Sequence, residues 1–248
     1  MNDSLGTSQS SSVLKSLYDK VRDILCCQIL PNNNKRLDKK LERKIMEISK
    51  NASGNSNFKS IDSIIMKFPQ IREEMTQIRD VFEQYDEDSN GSIDNEELKK
   101  CLRSLEFSVG DEEIDDLFHY CDMDGNEGLE FNEFIVLLCL IYLLTDSSSS
   151  SHATLKMYWP QVEATFNTII EVFLFLDKNS DGKLERKDVV KALNQASPRE
   201  KSPSRITHTR FKEMDWDKNG KVSFKEFMFS FISWVGIDCE DEGREQCF

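Results

Sequence analysis

Apolar residues recur three and four positions apart along most of the chain, the spacing of one helical face. Near the start, Leu14, Leu17, Val21, Ile24 and Leu25 form one such stripe within 13–30. Leu37, Leu41, Ile45 and Ile48 form a second within 35–50. Seven basic residues surround the second stripe, so it predicts a basic amphipathic helix. The longest apolar run, FIVLLCLIYLL at 134–144, has eleven residues. A bilayer-spanning helix needs about 20, so this run predicts a buried helix.

The polar interruptions between later stripes repeat. DEDSNGSIDNEE at 86–97 crowds oxygen-bearing side chains around one glycine, with Ile93 as its lone apolar residue. Carboxylates so close repel one another unless the loop is solvated or surrounds a cation. DMDGNEGLEFNE (122–133), DKNSDGKLERKD (177–188) and DWDKNGKVSFKE (215–226) share its pattern. Position 1 is Asp in all, positions 3 and 5 are Asp or Asn, and position 12 is acidic. Position 8 is aliphatic: Ile93, Leu129, Leu184 and Val222. A phenylalanine precedes each loop by four residues (Phe82, Phe118, Phe173, Phe211), and Leu98, Phe134, Val189 or Phe227 follows it. Each unit is therefore predicted to be helix, loop, helix. The first two loops start 36 residues apart, the last two 38 apart, and the middle interval is 55. The excess falls in the Ser-rich TDSSSSSHATLKMYWP. This organisation divides the chain into a basic helical extension (1–71), a first pair of units (72–145), a linker (146–160), a second pair (161–237) and a tail (238–248).

Calcium takes six to eight oxygens at about 2.3–2.6 Å. A twelve-residue loop supplies them when alternate side chains turn inward, position 7 offers its carbonyl, and a glutamate at position 12 reaches back with both oxygens. Glycine at position 6 makes the sharp turn cheaply. The aliphatic at position 8 is expected to pair with its counterpart in a short strand contact. This is the EF-hand pattern. Loop one fits with Asp86, Asp88, Asn90, the Ser92 carbonyl and Glu97; loop four fits with Asp215, Asp217, Asn219, the Lys221 carbonyl and Glu226. Loop two offers Asp122, Asp124, Asn126, the Gly128 carbonyl and Glu133, but has Glu127 at position 6. A non-glycine residue there costs about 1 kcal/mol, and weaker binding is expected. Loop three offers Asp177, Asn179, Asp181 and the Lys183 carbonyl, but closes with Asp188, one methylene shorter than Glu. Loss of bidentate reach predicts some tolerance for Mg2+ beside Ca2+ in that loop.

The four loops resemble those of calmodulin and the calmodulin-like proteins, of which plants have many. The resemblance spans 72–145 and 161–235; the N-terminal arm, the long linker and the SPREKSPSR insert at 197–205 depart from it. It implies an all-α fold of two EF-hand lobes and a calcium-sensing function.

Composition narrows the partners. The net charge is −13, which argues against nucleic acid. Residues 1–71 carry +5 and the remainder −18, a basic arm on an acidic body. Seven cysteines with no C-x-x-C pair predict reduced thiols in a cytoplasmic setting. The start is polar and Ser-rich, without a signal peptide pattern, and neither end carries a lipidation motif. His119, His152 and His208 lie far apart without a nucleophile pattern or glycine-rich phosphate loop near them, so an enzyme is not expected. A sensor would expose an apolar groove on binding calcium and take an amphipathic helix of a target protein; a calcium and magnesium buffer would open little. The helices lean on Phe and Leu rather than Met, which predicts a stiffer groove and fewer partners than calmodulin has. The arm at 13–50 has three readings. It could dock in the molecule's own groove as a lid, touch a membrane with help from acylation of Cys26 or Cys27, or extend as a solvated or self-packing helix. Ser197, Ser202 and Ser204 are candidate phosphorylation sites by composition alone.

Overall fold

The computed structural model describes residues 31–51, 58–107, 109–145, 160–196 and 204–237. The stripe at 13–30 with Cys26 and Cys27, the linker residues 146–159, Ser197 and Ser202, the side chain of Ser204 and the tail 238–248 lie outside what it describes. The second stripe forms α1 (Pro31–Asn51). A short α2 (Ile61–Ile65) follows, closed at its start by a Ser60–Ser63 capping box. Hand one enters through α3 (Phe68–Thr76) and α4 (Arg79–Tyr85) and leaves through α5 (Asn95–Ser104). Hand two comprises α6 (Asp111–Cys121) and α7 (Phe131–Leu144). Hand three comprises α8 (Pro160–Leu176), β1 (Leu184–Glu185) and α9 (Arg186–Ala196). Hand four comprises α10 (Ser204–Met214), β2 (Lys221–Val222) and α11 (Phe224–Val235). The fold is all-α, two EF-hand pairs with a helical extension.

The repeated phenylalanines are buried in all four hands. Each also supplies the carbonyl that accepts the amide of loop position 1: Phe82 to Asp86, Phe118 to Asp122, Phe173 to Asp177 and Phe211 to Asp215, at 2.8–3.0 Å. One residue thus anchors the entering helix and starts the loop. The aliphatic position-8 residues pair as expected. Ile93 and Leu129 exchange two backbone hydrogen bonds at 2.9 and 2.8 Å. Leu184 faces Val222 in the antiparallel β1–β2 contact.

The two pairs share one continuous apolar core. Helix α7 is buried on all sides, as its unbroken apolar sequence requires, and packs against α1, α4, α6 and α11. Helix α3, the first segment of hand one, packs on α8 and α11 of the other pair. Phe68 meets Phe231 edge to face at 5.4 Å. The Arg72 guanidinium donates twice to the Val235 carbonyl, at 2.9 and 2.6 Å. That places a cation on the carbonyl end of α11, where helix carbonyls lack intrahelical partners. Tyr142 Oη donates to Asn167 at 3.0 Å, and Lys225 Nζ to the Tyr120 carbonyl at 3.0 Å.

Helix α1 lies along this body. Leu37, Leu41 and Ile45 are 5%, 2% and 0% exposed, and Ile48 is half-buried against the same core. No helix among the described residues is long and apolar enough to cross a membrane.

Candidate metal centres

Each loop is held by its first aspartate. In loop one, Asp86 accepts from the amides of Asn90 (3.0 Å) and Gly91 (2.9 Å). Asp88 accepts from the Asn90 amide, and Asn90 Oδ1 accepts from the Ser92 amide at 2.8 Å. Loop two repeats this: Asp122 accepts from Gly125, Asn126 and Glu127, and Asn126 from Gly128. In loop three, Asp177 accepts from Asp181 (3.3 Å) and Gly182 (2.9 Å), and Asp181 from Lys183. In loop four, Asp215 accepts from Gly220 and Asn219 from Lys221. These turns bring the side-chain oxygens of positions 1, 3 and 5 to one side.

Position 12 separates the loops. It is the third residue of the exiting helix, where a carboxylate is favoured by the helix dipole and closes a capping box with position 9. Glu97 accepts from Asp94 at 2.8 Å and, with its other oxygen, from Glu87 across the loop at 2.9 Å. Glu133 does the same with Glu130 (2.9 Å) and Met123 (2.8 Å). Glu226 does so with Ser223 (2.8 Å) and Trp216 (3.1 Å). Asp188 accepts from Glu185 at 3.0 Å, the near side only. The missing methylene keeps it from crossing the loop.

Consequently the carboxylate oxygens of Asp86, Asp88 and Glu97 lie within 4.8 Å of one another, as do those of Asp122, Asp124 and Glu133, and of Asp215, Asp217 and Glu226. Among the described residues Asp177, Asp181 and Asp188 form no such group. In loop three Asn179 and Asp181 exchange the residue types of positions 3 and 5, and Lys221 Nζ stands 3.9 Å from Asp181.

The electrostatics fit a dication. Glu97, Glu133, Asp188 and Glu226 are buried, and so is Asp177. Burial pushes the Glu133 carboxyl up to about 7 and raises Glu226, Asp122, Asp177 and Asp215 above the usual carboxylate range. A desolvated carboxylate group beside other carboxylates is stabilised by a cation between them. Asp215 Oδ1 is buried without a protein hydrogen-bond partner among the described residues, as an oxygen kept for a metal would be.

Glu127 sits in the left-handed region at φ 64°, the strain expected of a non-glycine residue there. Loop two also has glycine at position 4, Gly125 at φ 72°, where the other loops place Ser89, Ser180 and Lys218 at 55–57°. Each loop therefore carries one non-glycine left-handed residue, and loop two is no more strained than its neighbours. This offset was not visible in the twelve-residue pattern, which ignores position 4. Nor was the steric function of Gly128, whose Cβ would stand 2.6 Å from Ser92 Oγ and 2.9 Å from Ser92 Cβ of loop one.

The geometry defines a class: paired helix–loop–helix units whose loops are built to enclose a dication. A family model described as an EF-hand domain pair matches residues 75–138 and 166–232. The chain belongs to the EF-hand family, in its plant calmodulin-like group, and binds Ca2+. It is 54% identical over 224 residues to the probable calcium-binding protein CML22 of Arabidopsis thaliana, covering 88% of this chain and 98% of that protein. It is 50% identical over 200 residues to the probable calcium-binding protein CML21 of the same plant, covering 80% and 86%. Troponin C isoform 2A of Homarus americanus is 32% identical over 104 residues, 41% of this chain and 69% of that one.

Proposed function

We propose that the chain is a cytoplasmic calcium sensor that regulates a target protein. The ligands are the side chains at positions 1, 3, 5 and 12 and the carbonyl at position 7 of each loop. The observation that carries this reading is the span of Glu97, Glu133 and Glu226. Each joins the first turn of an exiting helix to the far side of its loop, so a cation that draws the carboxylate inward draws that helix with it. Two of those helices, α7 and α11, pack on each other, so hands two and four act on a shared piece of core. The target would present an amphipathic helix to apolar surface released there. The free thiols of Cys101, Cys121 and Cys139 suit a reducing compartment. Loop three, with Asp188 held to one side, is the one where Mg2+ competes best.

A buffer is the second reading. It is favoured by the completeness of the core: among the described residues the exposed large hydrophobics are Ile65 and Met66. Calorimetric calcium titration in millimolar magnesium, with apolar-dye fluorescence on the same sample, separates the two. Sites at about 10⁻⁷ to 10⁻⁵ M with rising dye emission are expected of the sensor. Tight, magnesium-competed sites without a dye change would leave the buffer.

A further inference from the structure

Loop three departs from the other loops in a second way. Its turn is covered by α1. The Cα and carbonyl of Glu42 press on Gly182, where an added Cβ would meet the Glu42 carbonyl oxygen at 2.9 Å and its Cα at 3.1 Å. The Glu42 carboxylate pairs with Lys183 at 2.9 Å, and the pair is about three-quarters removed from solvent on each side. Ser49 Oγ donates to Ser180 Oγ at 3.0 Å. Positions 4, 6 and 7 of the loop, Ser180, Gly182 and Lys183, thus all touch α1. The rest of α1 is fastened to hand two: Tyr120 donates its hydroxyl to Asp38, Lys40 pairs with Glu113, and the apolar stripe lies against α7.

We propose that loop 177–188 is the latch of α1: a divalent cation in this loop and the docked helix each stabilise the other. The sign follows from the turn. Asp177 accepts from Asp181 and Gly182, and this closed turn both gathers the oxygens of positions 1, 3 and 5 and forms the surface that meets Glu42 and Ser49. Without a cation, the Asp181 carboxylate repels that of the buried Asp177 and works against the closed turn. A cation and α1 therefore select the same loop conformation, and two ligands that select one state bind cooperatively and reciprocally. Asp188 does not cross the loop, so occupancy there is transmitted to α1 rather than to α9. Hand three then sets whether α1 covers α7, while the other hands pull their exiting helices. The inference rests on cation binding by the loops, and stands whether the molecule is a sensor or a buffer.

Hydrogen exchange by mass spectrometry on the full chain, across a calcium titration, tests both directions. Asp177→Ala at saturating calcium should speed exchange in 35–50 at least about fivefold, the lower end of ordinary coupling between sites. Exchange in 95–104 of hand one should stay unchanged. Glu42→Lys, with Glu42→Gln as the milder form, should shift the calcium midpoint for protection of 178–183 upward at least about fivefold. Midpoints at the other loops should hold. Unchanged exchange in 35–50 on Asp177→Ala, a uniform rise along the whole chain, or an unmoved midpoint in both Glu42 variants would overturn the latch. Absence of calcium protection at 178–183 in the unmutated chain would overturn it as well. A flat apolar-dye response alongside a coupled α1 would remove the sensor reading and leave the latch standing.

Discussion

Gly128 carries a steric demand set by the neighbouring loop. Its Cα faces Ser92 of loop one beside the Ile93–Leu129 bridge, with no room for a Cβ. Gly128→Ala should therefore wedge the paired loops apart and destabilise the first pair by about 1–3 kcal/mol, the usual cost of overpacking. Ser92→Gly removes the group that a Cβ at 128 would strike, so the double variant should recover part of the loss. Denaturant melts of the two single variants and the double one measure this as a coupling energy. Additive losses would show that the contact is not the cause. Ligand chemistry was legible at this scale because the loop is local: twelve consecutive residues hold nearly all the donors. Contacts between loops were not, since Gly128 and Ser92 stand 36 positions apart and meet only once the pair has folded. Asp188 lay between these cases. Its shortened side chain was visible as a doubt about reach, and the geometry shows that it accepts from Glu185 alone.

Helix α1 shows which properties of an element can be read before its partners are known. The spacing of Leu37, Leu41 and Ile45 identified a helix with one apolar face, and burial of all three follows from it. The basic residues suggested a lid, a membrane contact or a self-packing extension, and 35–50 takes up a place on the body. What periodicity lacks is an address. Asp38, Lys40, Glu42 and Ser49 find Tyr120, Glu113, Lys183 and Ser180, residues 73–141 positions away, and no local pattern specifies such pairs. The same holds for α7, whose apolar run foretold burial but not the helices that cover it. Ile45 is fully buried, so Ile45→Ala should lower the unfolding free energy by about 2–5 kcal/mol, the transfer loss plus a cavity. Lys39 on the opposite face is exposed, and Lys39→Ala should stay within about 0.5 kcal/mol of the parent. Chemical denaturation of both variants provides the comparison. Equal effects would mean that α1 contributes no core.

At the scale of the whole molecule, the repeat spacing separates two pairs, yet the core runs through both. Helix α3 belongs to hand one and packs on α8 and α11; α7 and α11 pack together; Arg72 holds the end of α11. Cooperative unfolding of the pairs is the expected consequence, because neither can open without exposing the other's apolar face. The chain carries separate reporters for each half. Cys101, Cys121 and Cys139 lie in the first pair, Trp216 and Trp234 in the second. All three thiols are buried in the native state. Burial pushes the Cys101 thiol up to about 12 and the other two higher still. Since the thiolate is the reactive form, these buried thiols react far more slowly than thiols exposed by unfolding. Alkylation of these cysteines, read peptide by peptide, therefore reports unfolding of the first pair. Tryptophan emission, read in a Trp159→Phe background that removes the linker tryptophan, reports the second. With calcium present, the two denaturant profiles should share one midpoint, and Met75→Ala, a fully buried deletion on α3, should move both together. Two midpoints, with Met75→Ala moving only the cysteine profile, would instead mean that the pairs melt as independent domains and that their contact is a docking surface.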